Sequence, residues 1–493
     1  MSGSNDIIVA PATLTGGAIA IIRLSGEGSI GLCDAIFRGV KGSLSDAPTH
    51  TLRYGEIVDR ARVVDDVLVS VFRAPHSYTG EESVEISCHG SQYIVQEIIS
   101  LLLAQGARAA DAGEFTTRAY LAGRMDLSQA EAVADMIAST SRAQHAMAAT
   151  QMRGGYSSRL AELRGQLVEL AALLELELDF SEEEVEFADR VRLESLVESL
   201  IIEIEQLANS FSVGNAIKRG VPVAIVGEPN VGKSTLLNRL LGDERAMVSE
   251  IAGTTRDLIE EEMVLDGVTF RFIDTAGVHS TDDKLELMGI ERTLSAIERA
   301  QIVIHLSDAQ YVISNECDLH RVNSQEGGQN LVNSISECSD SVEARTNISV
   351  EEDGGESTTL DIRCLNLRSD QKLIKVINKI DTISECEKSP NTIYISAKEG
   401  VGIEALTNSL RAQVETKSLF EGAPIVSNLR HYNLLCTSLT ALRTAKSGLN
   451  NALPTDLLCQ EIREVLHNIG SITGSITTDE ILGEIFSKFC IGK

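Results

Sequence analysis

Tryptophan is absent from this sequence of 493 residues, and aromatic residues together make up only 4%. The hydrophobic core must therefore consist mainly of leucine, isoleucine, valine and alanine. Long apolar runs are also missing, since no stretch of 18 uncharged apolar residues occurs and the mean hydropathy is +0.02, which excludes a membrane-spanning helix. Apolar residues at 43% and charged residues at 23% indicate a folded globular chain.

Net positive charge is lacking as well, because 43 Lys and Arg stand against 72 Asp and Glu, a balance of −29. Such a chain is a poor non-specific binder of nucleic acid, although a local basic patch is compatible with it. The nine cysteines are scattered, odd in number and without a C-x-x-C pair, and no signal or transit peptide is recognisable. We therefore expect reduced thiols and a cytoplasmic location.

The patterns along the chain predict several domains, in keeping with a length of about three typical ones. Residues 1 to about 120 combine short β-branched runs with turn residues, which is typical of a mixed α/β domain; the runs are Ile7–Val9, Ala18–Leu24, Val67–Phe72 and Val84–Cys88. From about 125 to 219, apolar residues recur at steps of three and four, at 160–178 and again at 193–207, and predict long amphipathic helices. The acidic run Asp179–Glu186 between them is interpreted as a solvated loop or helix start.

Residues 220 to about 410 have a different character. Five buried-strand candidates alternate with helical patterns and predict a mostly parallel sheet: Val221–Val226, Val268–Ile273, Ile302–Leu306, Leu373–Ile377 and Ile393–Ile395. Asp266-Gly267 is typical of a hairpin turn. The segment from about 310 to 365 is rich in Ser, Asn, Glu and Gly and has no clear periodicity, and we interpret it as a disordered surface insertion.

From about 424 onwards the helical pattern returns, and Thr477-x-x-Glu480 predicts a capping box for a helix over Asp479–Phe489. Because two helical stretches flank the α/β block, the simplest architecture is one helical domain with an α/β domain inserted into it. The predicted boundaries are residues 1–122, 123–219, 220–415 and 416–493.

A phosphate-binding pattern lies in the inserted block. Residues 227–234 fit G-x-x-x-x-G-K-S/T between a predicted strand and a predicted helix, the context that this motif requires. In such a loop the backbone N–H groups surround the phosphates, Lys233 reaches the β/γ oxygens, and the Ser234 hydroxyl ligates Mg²⁺. Asp274-Thr-Ala-Gly277 ends a later strand, where a carboxylate on the Mg²⁺ side and an N–H facing the γ-phosphate belong.

Two further motifs select the base. Asn378-Lys-x-Asp381 ends another strand, and its aspartate can accept two hydrogen bonds from guanine that adenine does not offer. Ser396-Ala-Lys398 would support the base from the other side. In this order on strand ends the motifs predict a GTPase. The predicted GTP-binding residues are Asn230, Val231, Gly232, Lys233, Ser234, Thr235, Ser249, Glu250, Ile251, Ala252, Gly253, Thr254, Thr255, Asp274, Thr275, Ala276, Gly277, Asn378, Lys379, Ile380, Asp381, Ser396, Ala397 and Lys398.

Thr255 and the segment after the D-T-A-G motif, which we call the second switch, are informative too. Thr255 is expected to close over Mg²⁺ as a switch residue, so that Ser234 and Thr255 are the predicted magnesium ligands. Small switch GTPases place a water-positioning glutamine after the D-T-A-G motif, whereas Val278 is apolar here. The attacking water must therefore be positioned in another way.

Longer stretches are specific to one family: IVAPATLTGGAIAIIRLSG, SYTGEESVEISCHG, AGEFTTRAYLAGRMDLSQAEAVADMI, GEPNVGKSTLLN, AGTTRD, DTAG and CIGK. On these residues the chain resembles the MnmE (TrmE) family of tRNA modification GTPases nearly end to end, apart from the acidic insertion. The resemblance implies a multidomain protein of α/β and α parts. An N-terminal α+β tetrahydrofolate-binding domain, which dimerises, is joined to an all-α helical domain with an inserted P-loop, Ras-like α/β GTPase domain.

The resemblance also implies a folate site for a 5-formyl or methylene form, at Arg23, Glu85, Arg124 and Lys493. Read without the family, Arg23 and Glu85 would be surface ion-pair partners. The family places the cysteine corresponding to Cys490 near the folate, and whether its thiol acts as nucleophile or acid/base stays open. The adjacent Cys88 and His89 allow a metal or a dyad, but we favour a buried strand end.

For hydrolysis, the resemblance implies a potassium ion in place of an arginine finger, held by Asn230, Ser249, Ile251 and Thr254. Glu286 matches the family glutamate that orients the attacking water, although a lone glutamate is otherwise read as an exposed helix charge. The implied catalytic residues are thus Lys233, Glu286 and Cys490. His279 stands where we expect arginine in relatives, which affects the second switch only.

The implied function is a GTPase cycle that supports the folate-dependent addition of an aminomethyl or carboxymethylaminomethyl group to C5 of the wobble uridine of certain tRNAs. The family forms a homodimer and a heterotetramer with a flavin-binding partner, MnmG, which carries FAD. Two alternatives stay open from sequence: a GTPase switch in ribosome assembly, which predicts a basic RNA-binding appendage, and a folate-dependent one-carbon transferase that acts on a small molecule.

Overall fold

The computed structural model describes residues 6–179, 190–228, 230–243, 261–273, 295–310, 367–368, 371–383, 389–414, 424–451, 453–487, 489 and 492. The chain divides into two compact units. The first unit comprises residues 1–140, 144–215 and 418–493, and the second comprises residues 141–143 and 216–417. The first unit thus contains both helical stretches, and the second is inserted between them, as predicted. Our finer four-part boundaries stay a prediction.

The N-terminal part of the first unit is a seven-stranded sheet in the order β3-β4-β5-β6-β2-β1-β7. Its neighbours pair antiparallel except for β1 and β7, which are parallel. Three strands, β3, β4 and β7, have no counterpart in the predicted runs. The strands are Ile8–Pro11 (β1), Ile19–Ser25 (β2), Phe37–Gly39 (β3), Thr51–Asp59 (β4), Arg62–Phe72 (β5), Ser83–His89 (β6) and Arg108–Ala109 (β7).

Helices pack on both faces of this sheet. The first three are Ser29–Asp34 (α1), Gln92–Ala104 (α2) and Glu114–Leu121 (α3). Helix α2 buries Val95, Ile98 and Leu102, which lie on one face of the helix, against the alternating inward residues of the strands. On the opposite sheet face Ile19 and Tyr54 are exposed, together with Leu52 and Leu68. Phe115 of α3 covers Ile8 and Ala10 on that face. The part around Ile19, Leu52, Tyr54 and Leu68 is an uncovered surface with several apolar side chains, which we call the open sheet face.

The next helices are long and amphipathic: Leu127–Ala138 (α4), Arg142–Met152 (α5), Gly155–Asp179 (α6) and Arg190–Arg219 (α7). The predicted leucine stripe is buried from Leu160 to Leu174, and the second stripe is buried from Leu193 to Leu207. The side chain of Leu178 and most of the acidic run after it lie outside the described residues. Asp126 caps α4, because its carboxylate accepts from the N–H of Gln129 in a capping box.

The second unit is a six-stranded sheet in the order β13-β12-β11-β8-β10-β9, parallel except for the edge pair β10 and β9. All five predicted strands are present. The predicted hairpin at Asp266-Gly267 joins Leu265 to Val268. The elements are Val221–Val226 (β8), Lys233–Asp243 (α8), Glu261–Leu265 (β9), Val268–Ile273 (β10), Ile302–Asp308 (β11), Lys372–Asn378 (β12), Thr392–Tyr394 (β13) and Ile403–Ala412 (α9). Apart from Gln310, the acidic insertion up to residue 365 lies outside the described residues.

The chain then returns to the first unit with Leu429–Asn450 (α10), Thr455–Thr473 (α11) and Asp479–Phe486 (α12). Helices α10 and α11 complete the core around the two leucine stripes. The predicted cap of α12 is wrong by one residue, because Thr478 is the cap and accepts from the N–H of Ile481 at 3.4 Å. The helix also ends at Phe486 rather than Phe489. Within the described residues, no helix is long and apolar enough to cross a membrane.

Candidate functional site

The phosphate-loop pattern lies where β8 ends and α8 begins. Gly227 has φ 155° and passes so close to β11 that a Cβ there would lie 2.1 Å from the Leu306 carbonyl oxygen. Gly232 has φ 96°, and a Cβ there would lie 2.4 Å from the Asn378 side-chain nitrogen. Glycine is needed at both positions, because neither leaves room for a Cβ atom. Gly232 in addition has a backbone conformation that residues with side chains rarely adopt. Asn230 is exposed at the tip of the loop with φ 62°.

Lys233 is the first residue of α8, and its side chain folds back over the loop. Its Nζ donates to the carbonyl oxygens of Gly227 at 2.8 Å and Glu228 at 2.9 Å. Burial lowers the pKa of the Lys233 ammonium, while the nearby Glu228 carboxylate acts in the opposite direction. A cation thus stands at the N-terminus of a helix, and together they can bind an anionic group.

Asn378, the last residue of β12, connects two loops. Its Nδ2 donates to the carbonyl of Val231 in the phosphate loop at 2.8 Å, and its Oδ1 accepts from the N–H of Ala397 at 2.9 Å. The Asn378 side chain is buried, so both halves of its amide are used. Asn378 therefore holds the phosphate loop and the loop after β13 at fixed positions relative to each other.

Asp381 follows in the next turn, opposite the loop that Ala397 belongs to. The hydroxyl of Ser396 donates to its Oδ1 at 2.5 Å and thereby lowers the pKa of the Asp381 carboxyl. An ionised carboxylate in this position can accept hydrogen bonds from a pair of donors on a ligand. Lys398 is exposed at the same loop.

The sequence analysis did not identify Asp308, which also lies at this edge of the sheet. Lys379 forms an ion pair with Asp308, the last residue of β11, with 2.7 Å between Nζ and Oδ2. The available signal was a carboxylate two residues beyond the predicted end of β11, because the carboxyl ends of parallel strands meet at one edge.

The structure thus brings together the described candidates of the phosphate loop, of the Asn378–Asp381 motif and of the Ser396–Lys398 motif. The remaining candidates lie outside the described residues: Ser249, Glu250, Ile251, Ala252, Gly253, Thr254, Thr255, Asp274, Thr275, Ala276, Gly277 and Glu286. Their predicted roles stay predictions.

A second candidate cluster lies in the first unit. Arg23 on β2 faces Glu85 on β6 in a cross-strand pair, and its Nε and Nη2 both contact Oε1 of Glu85, at 2.9 and 2.8 Å. The Arg23 guanidinium carbon also lies 5.4 Å from the ring centroid of Tyr78 and 5.8 Å from that of Phe115. The pair is partly buried among aromatic rings, which distinguishes it from an ordinary surface ion pair.

The C-terminal segment reaches this cluster. The carbonyl of Gly492 accepts from Arg23 Nη1 at 3.4 Å, and a Cβ on Gly492 would lie 2.1 Å from the Pro11 carbonyl oxygen. Cys490 and Lys493, on either side, lie outside the described residues. Arg124 is exposed, and its stem lies beside Gly80, in the loop that carries Tyr78.

A network of ion pairs holds the loop that carries Tyr78 and Gly80. Arg118, only 9% exposed, contacts Asp6 at 2.8 Å, Glu81 at 3.2 Å and Glu114 at 3.0 Å. The hydroxyl of Ser25 donates to Glu81 at 2.7 Å. These contacts fix Glu81, three residues from Tyr78, on the sheet and on α3, so that the aromatic ring beside Arg23 has a rigid base.

The interpretation of Cys88-His89 as a buried strand end is correct for the cysteine and wrong for the histidine. Cys88 is 3% exposed, whereas the His89 side chain is 68% exposed and its Nδ1 lies 2.7 Å from Oδ1 of the buried Asp65. The alternation of a strand explains the difference, because successive side chains point to opposite faces. Among the described residues no group of three His, Cys, Asp or Glu side chains is arranged to hold a metal ion.

Two family models and many full-length relatives match this chain. A family model described as the MnmE helical domain matches residues 127–490, and one described as the GTP-binding protein TrmE N-terminus matches residues 7–124. The tRNA modification GTPase MnmE of Flavobacterium johnsoniae is 46% identical over 99% of this chain and 100% of its own length. The protein of the same name from Christiangramia forsetii is 47% identical over 99% of both chains.

A crystal structure of Era from Aquifex aeolicus bound to GDP·AlF4⁻ is also similar, with 23% identity, a TM-score of 0.23 and coverage of 44% of this chain and 65% of that one. The full-length relatives and the two family models span almost the whole chain and show its family. The chain therefore belongs to the MnmE family of tRNA modification GTPases.

Proposed function

We propose that this protein is a potassium-activated GTPase that, with a flavin-binding partner, uses a one-carbon folate to build an aminomethyl group on C5 of a tRNA wobble uridine. The proposal is supported by one observation: the same chain contains a cluster that suits a guanine nucleotide and a cluster that suits a folate. The strand-end network around Asn378 and Asp381 suits a guanine nucleotide, and the Arg23–Glu85 pair, contacted by Gly492, suits a folate.

At the proposed nucleotide site, each predicted residue has a separate role. The loop amides and Lys233 bind the phosphates, and the Asp381 carboxylate accepts hydrogen bonds from guanine. The Ser234 hydroxyl, at the start of α8, and Thr255 would hold Mg²⁺, which supplies charge neutralisation between the phosphates. Because Asn230 is exposed at the loop tip with a left-handed backbone, its amide oxygen is free to turn toward a cation.

Asn230, Ser249, Ile251 and Thr254 would hold K⁺, which supplies the positive charge that an arginine finger gives in other GTPases. Glu286 would orient the attacking water. No polar side chain at Val278 takes that role.

At the folate site, the planar guanidinium and carboxylate among two aromatic rings match a flat heterocycle with a donor-rich edge. Glu85 would accept from the amino-pyrimidinone edge of a pterin, and Arg23, Arg124 and Lys493 would supply cations for its carbonyl and glutamate groups. A one-carbon folate supplies the carbon that is transferred. The Cys490 thiol is placed by sequence two residues before Gly492, which contacts Arg23.

The proposed assembly is a homodimer that joins MnmG, which carries FAD, in a heterotetramer and acts on tRNA. The open sheet face supports a partner there, because Ile19, Leu52, Tyr54 and Leu68 leave apolar area in water. A second copy of the chain would bury it.

The test is mass spectrometry of tRNA nucleosides from a strain that lacks the gene, complemented with the wild-type protein or with Lys233→Ala. We expect the modified wobble uridine to be lost on deletion, restored by the wild type and not by the variant. Normal modification in the deletion strain would contradict the proposal and would favour a ribosome-assembly switch or a small-molecule transferase.

The cation dependence is tested on the purified protein. Turnover of GTP should need K⁺ rather than Na⁺, because a smaller ion fits a potassium-sized set of oxygens poorly. Equal turnover in matched KCl and NaCl would contradict the potassium site, and would leave the GTPase itself in place.

A further inference from the structure

Asp308 is the last residue of β11 and pairs in register with Asn378 of β12. Its carboxylate is held at both oxygens: Oδ2 by the ammonium of Lys379 at 2.7 Å, and Oδ1 by the backbone N–H of Gln310 at 3.0 Å. The Asp308 side chain is 19% exposed and that of Lys379 38% exposed. The pair is therefore partly shielded from water and has a fixed geometry, unlike most surface ion pairs.

Lys379 is constrained along its whole length. Its backbone has φ 64°, an uncommon conformation for a residue with a side chain, which persists only where the surroundings hold it. Its carbonyl accepts from Thr382, from the backbone N–H at 3.0 Å and from the hydroxyl at 2.7 Å. The ion pair with Asp308 holds the other end. Lys379 thus lies between Asn378, which supports the phosphate loop, and Asp381, with its side chain directed toward β11.

We infer that Asp308 is a positioning residue for the guanine nucleotide. By holding the Lys379 ammonium over β11, it keeps the four-carbon stem in one conformation along the sheet edge between the phosphate loop and Asp381. A lysine that is not held samples many rotamers, and that freedom is lost when a ligand packs against it. Pre-organising the stem raises nucleotide affinity mainly by slowing dissociation. Asp308 acts through Lys379 and does not take part in hydrolysis.

The first test compares Asp308→Asn and Asp308→Ala with the wild type, in the full-length protein. We expect GDP to dissociate about 3- to 10-fold faster, a modest effect because the pair is partly exposed. The KM for GTP should rise in proportion, and kcat should stay within about twofold. If the alanine variant fails to fold, the nearly isosteric asparagine variant still decides the question. Unchanged GDP dissociation in Asp308→Asn would overturn the inference.

Asp266→Asn is the matched control. Asp266 also forms an ion pair, with Arg411 at 3.1 Å, but it lies in the turn before β10, at the end of the sheet away from the phosphate loop. Asparagine also accepts its left-handed φ of 47°. This variant should leave GDP dissociation and KM unchanged.

A second measurement separates positioning from a merely structural role. Lys379→Met keeps the apolar stem and removes the ammonium, so Asp308→Asn should have no further effect in that background. Raising the ionic strength with choline chloride at constant K⁺ should reduce the difference in GDP dissociation rate between wild type and Asp308→Asn, because salt screens the ion pair. Additive effects of the two substitutions would overturn the inference.

The inference rests on the proposed assignment of the nucleotide site to these strand ends. Asp381→Asn tests that assignment independently of Lys379. If Asp381→Asn leaves GTP affinity unchanged, the assignment fails. If it weakens GTP while Asp308→Asn has no effect, only the role of Asp308 fails.

Discussion

The proposed nucleotide site takes all its described side chains from one inserted block, between Gly227 and Lys398, whereas the Arg23 cluster joins residues 62 and 469 positions apart. Within the block, strand ends of a parallel sheet meet at one edge, so short motifs come together by topology. In the first unit, β2, β6 and the C-terminal segment must all be in place before Arg23 has its partners. The first site is self-contained, and the second depends on distant parts of the chain.

The strongest way to test this difference is to remove Cys490–Lys493. We expect wobble-uridine modification to be abolished, because Lys493 and Cys490 are lost and Arg23 loses the Gly492 carbonyl. GTP turnover should be nearly unchanged, since the block contains its own nucleotide ligands. Both activities are measured in the same truncated protein. Modification at wild-type efficiency would show that the tail is not part of the site.

Asp381→Asn should affect the other site as sharply. We expect GTP affinity to fall about 100-fold, because a charged acceptor for two guanine donors is replaced by an amide. Affinity for XTP should rise, since xanthine presents a carbonyl to the new N–H donor. Displacement of a fluorescent nucleotide measures both constants. Wobble-uridine modification supported by XTP alone would extend the result to the whole enzyme.

Glu286→Ala should slow GTP hydrolysis by roughly 10- to 100-fold, within the range for positioned acid–base and water-orienting groups. It should spare GTP affinity, because the assigned role concerns the water and not the nucleotide. Single-turnover hydrolysis and equilibrium binding are measured separately. A large loss of binding would contradict the role.

The first unit contains a second long-range cluster that sharpens the comparison. Glu131 on α4 contacts Arg430 at 3.0 Å and His431 at 2.7 Å on α10, and all three are largely buried. Burial alone would raise the pKa of Glu131, but His431 and Arg430 outweigh it and lower that pKa to about 2. The ionised carboxylate therefore stabilises the folded state above the pKa of about 4.3 that a glutamate has when unfolded.

Glu131→Gln should lower the free energy of unfolding by about 2–4 kcal/mol at pH 7, since it leaves the partly buried Arg430 guanidinium without its anion. This contribution is lost as pH falls from about 5 toward 2, so wild type and variant should converge there. Urea midpoints across pH measure the effect. The control is Glu162→Gln, whose surface pair with Arg159 should matter by less than about 1 kcal/mol. If the difference in free energy of unfolding between wild type and Glu131→Gln stayed constant at all pH values, ionisation of Glu131 would not be the cause.

The smallest effect is expected for the acidic insertion. Deleting residues within 310–365 should leave the melting temperature unchanged, because its composition buries too little apolar area to offset chain entropy. Limited proteolysis should cut the full-length protein there first. Strong protection from protease would show that the segment is packed.

Sequence patterns predicted the second unit better than the first. All five strands and the Asp266-Gly267 turn are present, because buried parallel strands give continuous apolar runs with clear ends. Strand β4, by contrast, alternates and contains Gly55, a pattern that resembles loop sequence until β5 pairs with it.

Side-chain partners were harder to foresee. The ion pair of Arg23 and Glu85 was predicted from their residue types, whereas their folate role came from the family resemblance. The rings of Tyr78 and Phe115 beside the pair were not predicted, because their proximity to Arg23 depends on tertiary packing. Likewise, Asp308 has no motif of its own. Its partnership with Lys379 arises only from the register of β11 and β12.

The contact between Gly492 and Arg23 also sets an order in time. Ribosomes add about 5–20 residues per second, and domains fold as they emerge. The inserted block can fold while residues 418–493 are still being made. Arg23, in contrast, can form its hydrogen bond to Gly492 only after the ribosome has added that residue, 469 positions later. A chain that stops early in its last helices would hydrolyse GTP without modifying tRNA, so faulty translation would yield a wasteful enzyme rather than an inert one.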